Sequence, residues 1–378
     1  MTYHDALAPR SNRPWLIALP LAFVLALGVA WTALWFYAAG QAETRLADWQ
    51  AQQAKGGRSF TCGSQKVGGF PFRIEVVCAD AAAELKDAQP PIALKLKQIL
   101  AVAQVWDPKL IIAEFTGPLT ASDPGSAPHA SATWTLAQAS VRGTPNAPER
   151  VSIVTDGLRL NGVQPGAPVL FESKHAEAHA RMQIGSWPAN PAIDLAVNLK
   201  DATAPTVHAH LAQPFDTDVL AVLHGMKDLS PKPLPARLRE WQAAGGKLEI
   251  QKARLAQGDA LANTTGTLAL SQRGGLDGTL QLAAAGIERF LPTLGAGGGP
   301  TMSLERAAPA LNAIERAVPG LAQRIAPQQQ QSLQSGLLGL IGKPIDIEGK
   351  RGIAIPVRFT DGAASLGPIP VGKLPPVF

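Results

Sequence analysis

The residues with the clearest chemical potential are histidines. His175, Glu177, His179 and Arg181 alternate along Lys174-His-Ala-Glu-Ala-His-Ala-Arg181, so on a strand they share one face. Two imidazoles and a carboxylate form a zinc-type ligand set. Strand geometry defeats it, because positions two apart are separated by about 7 Å and His175 from His179 by about 13 Å, too far for one ion with ligands at ~2.1 Å. The segment reads as a solvated polar face, and no metal site is expected. His208 and His210, flanking Ala209 between Val207 and Leu211, read as outward residues of another strand. A nucleophile elbow is absent: Gly63-Ser64 and Gly185-Ser186 lack the second glycine and the strand-turn-helix setting. The run Gly-Ala-Gly-Gly-Gly-Pro at 295–300 leads into Thr-Met-Ser and lacks the Lys-Ser/Thr of a phosphate cradle, so it reads as a flexible linker. Nothing singles out a glycosidase-type carboxylate pair. The expectation is a non-enzymatic chain with no catalytic residues and no cofactor.

Cys62 and Cys78 are the only cysteines. Their spacing is neither CxxC nor metal-like, and in an oxidising compartment a disulfide is the default. Phe60 shares parity with Cys62, and Phe72, Ile74 and Val76 with Cys78, so on strands both sulfurs point to the apolar side. A turn near Gly69-Phe70-Pro71 would set Cys62 opposite Cys78 in a hairpin, and closing that loop is worth ~3 kcal/mol in the chain-entropy model. A redox-active pair would need thiol-activating surroundings that are not apparent. Gly69-Phe70-Pro71-Phe72-Arg73 admits two readings. It is either a rigid turn whose phenylalanines feed the core while Arg73 faces water, or a docking surface for a partner or lipid headgroup made by Phe70, Phe72 and Arg73.

The elements that must position these groups begin with a membrane segment. No charged residue occurs between Arg13 and Glu43, and residues 15–39, at ~1.5 Å each, span a ~30 Å hydrocarbon core. Trp15 at one end and Trp31, Trp35, Phe36 and Tyr37 at the other suit the two interfaces. A cleavable signal peptide is the rival reading, since Ala38-Ala39-Gly40 offers small residues, but its apolar core should be shorter. Arg10 and Arg13 precede the span, which places the N-terminus in the cytoplasm. The bulk then lies on the periplasmic side of the inner membrane. The whole chain carries 34 Lys+Arg against 29 Asp+Glu, a net of +5 in 378 residues; no basic cluster stands out, which argues against nucleic acid as a partner. With 46% hydrophobic residues it is not a disordered chain.

The expected organisation is a cytoplasmic tail 1–14, the anchor 15–39, a helical stalk 40–57 and a β-rich periplasmic domain 58–378. Period-two patterning marks strands at 92–105, 110–115, 132–141, 151–160, 169–184, 193–200, 206–211, 247–255, 265–271, 279–284 and 353–359. Turn chemistry at Gly117-Pro118, Asp156-Gly157, Pro165-Gly166, Gly274-Gly275 and Asp361-Gly362 separates the runs. Short connections favour antiparallel meanders. Helices are predicted at 216–226, 234–244, 303–318 and 328–341, as insertions around 216–245 and 301–341. The proline-rich end, 367–378, should run along a sheet edge. The fold class is mainly β with accessory helices (α+β): one large curved antiparallel sheet behind a single transmembrane helix.

Three strings, Val67-Gly-Gly-Phe-Pro-Phe-Arg73 before Cys78, Val105-Trp-Asp-Pro108 before Phe115-Thr-Gly-Pro118, and Asp361-Gly-Ala-Ala-Ser-Leu-Gly-Pro-Ile-Pro-Val-Gly372, occur in an order that resembles the bacterial domain of unknown function 2125. The resemblance implies a Gram-negative envelope protein with one N-terminal anchor and no assigned activity or catalytic residues. More loosely, Gly266-Thr-Leu-Ala-Leu followed by Leu276-Asp-Gly-Thr-Leu-Gln-Leu is similar to hairpins of AsmA-like envelope proteins, whose curved sheets are associated with lipid transport or envelope homeostasis. Two functions follow as expectations. In the first, the sheet holds or guides a lipid or other apolar ligand; in the alternative, the sheet is fully covered and the chain is a structural or interaction protein contacting other envelope proteins.

Overall fold

The computed structural model describes residues 15–378 apart from 145–146, 165, 231, 287–341 and 368. One helix, α1 (Trp15–Lys55), runs from the apolar segment straight through the stalk. Leucine, alanine and tryptophan dominate its first half, and no glycine or proline interrupts the run from Gln41 to Lys55, so nothing stops it before Gly56-Gly57. It is long and apolar enough to cross a membrane, with a mean hydropathy of 2.0 in its most apolar window.

The strands follow in one antiparallel system. The first half comprises β1 (Arg58–Thr61), β2 (Ser64–Gly68), β3 (Arg73–Leu85), β4 (Ile92–Gln104), β5 (Asp107–Ser122), β6 (Ala130–Thr133), β7 (Leu136–Thr144), β8 (Ala147–Gly162) and β9 (Val169–Met182). After β10 (Ala192–Ala202) and β11 (Phe215–His224) comes a short helix, α2 (Leu234–Ala243), then β12 (Lys247–Gln257), β13 (Ala260–Leu270) and β14 (Leu276–Ala285). The chain ends with β15 (Lys343–Ile347), β16 (Lys350–Thr360), β17 (Ala363–Leu366) and β18 (Ile369–Lys373). Together they make one 18-stranded sheet of the described residues. Long strands pair with their sequence neighbours, while the short pairs β1/β2 and β15/β17 each share one long partner and β6/β7 lie end to end between two, β5 and β8. The proline-bearing β18 closes one edge on β17, where the missing N–H of Pro370 costs no internal ladder bond.

A crease runs across the first half of the sheet. On β3 and β4 the register skips Asp80 and Lys97; on β5 it skips Gly117-Pro118; β6 and β7 separate at Trp134-Thr135; on β8 and β9 it skips Gly157 and Lys174. These irregularities lie beside one another strand after strand. An extra residue bends its strand and exchanges the two faces for everything beyond it. The apolar positions therefore step by three at the crease, from Cys78 to Ala81, from Leu96 to Ile99 and from Thr155 to Leu158, and one face stays apolar on both sides of it.

Several expectations are corrected. Residues 216–226 were expected to be helical but residues 215–224 form β11, paired on both sides with β10 and β12: Asp-Val-Leu-Ala-Val-Leu satisfies either period, and two waiting strand edges decide the matter. Residues 206–211 are not a strand; His208 caps a 3-10 turn (Ala209–Ala212), its Nδ1 accepting from the His210 N–H at 3.2 Å, a local bond that competes with pairing. Gly117-Pro118 and Asp156-Gly157 do not end strands but lie within β5 and β8 as part of the crease. Helix α2 forms within the expected 234–244, with Pro235 in its first turn. The helices expected at 303–318 and 328–341 lie outside the described residues.

Candidate functional site: an apolar trough between the helix and the sheet

Helix α1 touches the sheet at two levels and stands away from it between them. At the lower level the Trp31 indole N–H donates to Pro71 O at 2.9 Å and that of Trp35 to Arg73 O at 2.8 Å. The Phe36 and Phe70 rings stack there at 6.3 Å. At the upper level Trp49 packs on Phe60, ring centroids 4.8 Å apart, and Arg58 reaches Gln53 at 3.3 Å. The Arg58 guanidinium also grips Asp87 at 2.5 Å and holds that carboxyl below the usual range.

The space between the clamps is a trough of about 960 Å³. Its helix wall is the stripe Leu34, Ala38, Gln41, Arg45 and Trp49, at the 3–4 residue spacing of one helix face. Its sheet wall is the apolar side of β1, β3, β4 and β5, including Ile74, Val76, Leu94, Ile99 and Ile111. Among the described residues no carboxylate borders it; the charged ones that do are Arg45 and Lys95, both exposed. From Leu34 to Gln50 the trough follows the helix for ~24 Å, more than the ~15 Å of half a bilayer's hydrocarbon core.

The apolar wall does not stop at the trough. Val76 lies opposite Ala101, Ala101 opposite Ala113, and Ala113 opposite Ala139. The same row continues as Ile153, Ala178, Val197 and Val219 from β8 to β11, passes through Ala253 and one polar position, Thr264, on β12 and β13, and ends as Leu282 and Ile355 on β14 and β16. At ~4.8 Å per strand this is an apolar band about 50 Å long. Parts of it are open: Ile111, Val151 and Ile153 are 46%, 41% and 50% exposed. Farther along, Ile193 and Ile355 are buried. On the opposite face of the same strands, by register, Leu261, Ala285 and Ile347 form a compact cluster.

Both cysteines border the trough and are joined, with Cα atoms 5.3 Å apart. The simple hairpin placement is corrected, because the register partner of Cys78 is Gln65. Cys62 lies in the break between β1 and β2, where the Gly63 N–H bonds to Ala79 O at 2.9 Å, and the irregularity at Asp80 brings the sulfurs together. The Phe-Pro-Phe turn is also corrected in one respect. Phe70 and Phe72 do not feed the core but are 51% and 59% exposed, with Arg73 paired to Glu75 at 2.6 Å.

On the opposite side of the sheet, His175, Glu177, His179 and Arg181 share one face of β9 as a polar surface. His175 lies 2.6 Å from Asp156, and His179 lies 3.3 Å from Glu177. Gln183 and Arg181 both donate to Asp194, at 2.7 Å each, and hold its carboxyl below the usual range. Among the described residues no three His, Cys, Asp or Glu side chains group closely enough for a metal ion.

The model of a bacterial family described as "uncharacterized protein conserved in bacteria", domain of unknown function 2125, matches residues 35–375. The chain belongs to that family. The match starts at Trp35, the lower clamp, and takes in the turn, the cystine, the sheet and β18, so the trough is built almost entirely within the domain of unknown function 2125. No curated protein matches the chain, and the looser likeness to AsmA-like envelope proteins is not shown.

Proposed function

We propose that this chain is a non-enzymatic envelope protein that holds or guides a lipid or other apolar ligand along the apolar face of its sheet. In this reading α1 anchors it in the inner membrane with the N-terminus in the cytoplasm and the sheet in the periplasm. The observation that carries the reading is the trough: an apolar space as long as an acyl chain, walled on one side by the continuation of the membrane-crossing helix. Leaving such a surface to water is unfavourable by ~25 cal/mol per Å², which favours an apolar occupant. Among the described residues the trough is bordered by Arg45 and Lys95 and by no carboxylate, which suits a neutral or anionic amphiphile. The Cys62–Cys78 bond agrees with an oxidising compartment.

Native mass spectrometry of the full chain after mild detergent extraction tests it. The expected result is a lipid adduct that survives detergent exchange. A ligand-free spectrum over several preparations would contradict it and leave a structural or interaction protein. Topology has its own check: a C-terminal reporter active only in the cytoplasm overturns the placement.

A further inference from the structure

Three of the large exposed aromatic residues sit together at the tips of adjacent hairpins. Phe70 and Phe72 occupy the β2–β3 turn and Trp106 the β4–β5 turn, 51%, 59% and 61% exposed. The tips are joined: the Val105 N–H donates to Phe72 O at 3.1 Å, and the Phe72 and Trp106 rings lie 6.2 Å apart. We propose that these tips form an interfacial foot, which inserts into the headgroup region of the bilayer crossed by α1 and seats the lower mouth of the trough there. This assignment rests on the reading of α1 as a membrane span.

Depth is the first support. The foot is bound to α1 at Trp31 and Trp35, which lie ~24 and ~30 Å along the helix from Trp15. That is the far boundary of a ~30 Å hydrocarbon core, where aromatic rings concentrate. Backbone satisfaction is the second. A turn beside a region poor in water gains from paired polar groups, and the carbonyls of residues 69–73 other than that of Phe70 are paired. Gly69 O accepts the Arg73 N–H at 3.1 Å, Pro71 O and Arg73 O accept the two indoles, Phe72 O accepts Val105, and Pro71 has no N–H. Continuity is the third: the trough wall starts at Leu34 and Tyr37, beside the foot, so a chain leaving the leaflet there meets apolar surface at once.

The test uses the full chain in vesicles of phosphatidylethanolamine and phosphatidylglycerol, with p-benzoylphenylalanine placed singly at Leu25, Phe72, Trp106 or Val207. Val207 is 74% exposed and follows the end of β10 away from the tips. An intact cystine, read by mass, marks folded chains. The expected result on irradiation is lipid adducts at 25, 72 and 106 and none at 207. Adducts at 25 without any at 72 or 106 would overturn the foot and spare the anchor. No adduct at 25 would overturn the anchor and the foot with it. Adducts at 207 equal to those at 72 would also overturn the foot, since exposure alone would then account for them.

Discussion

At the scale of residues, the cystine and two indoles hold the trough together, and each has a measurable weight. The pair Cys62→Ser and Cys78→Ser opens a loop with a sequence separation of 16 and is expected to cost ~3 kcal/mol in urea unfolding; an unchanged midpoint would show that the bond constrains nothing. Trp35→Phe keeps the ring and removes the donor to Arg73 O. It should cost about 1 kcal/mol and speed amide exchange in residues 69–73. Asp194 and Glu348 carry lowered pKa values, the first chiefly through Gln183 and the second through Arg254. A depressed folded-state pKa stabilises above the unfolded value and is lost as pH falls through the folded one. Their contribution should therefore be complete at neutral pH and disappear on the acid side, from near pH 4 downward. Asp194→Asn should flatten part of that acid limb in pH-dependent unfolding. The pairing of Cys62 with Cys78 was legible from count and parity. The exposure of Phe70 and Phe72 was not, because a Phe-Pro-Phe turn looks the same whether its rings meet a core or a lipid.

At the scale of elements, alternation located most long strands, and the glycine at 245 marked the end of α2. The crease escaped because two of its irregularities read locally as turns: Gly117-Pro118 and Asp156-Gly157 are turn dipeptides, yet pairing on both sides carries β5 and β8 through them. The three-residue step from Leu96 to Ile99 was the available signal. Strand β11 was misread since its apolar run fits both periods, and only its neighbours resolve it. Helix α2 is tied down at Trp241, which is buried and donates to His224 O at 2.7 Å. A Cβ on Gly246 would fall on that indole, so Gly246→Ala has no room. It is expected to destabilise the chain by ~1–3 kcal/mol in thermal unfolding, whereas Gly245→Ala, which meets no neighbour, should act only through its left-handed backbone.

At the scale of the molecule, one long helix and one wide sheet face create a surface that neither makes alone. The sheet's apolar band was partly legible as repeated alternation. The helix wall was not, since the stripe from Leu34 to Gln50 crosses the boundary between a membrane segment and a polar stalk, which a sequence reading treats separately. The central claim is that the trough carries an apolar ligand, and blocking it is the most direct test. Ala101 lines the trough, while Glu114 is exposed on the other face of the sheet. Native mass spectra of wild type, Ala101→Trp and Glu114→Trp, each matched for folded content by circular dichroism, should show the lipid adduct in wild type and Glu114→Trp and its loss in Ala101→Trp. An adduct that persists in Ala101→Trp, or that disappears equally in Glu114→Trp, would contradict the account.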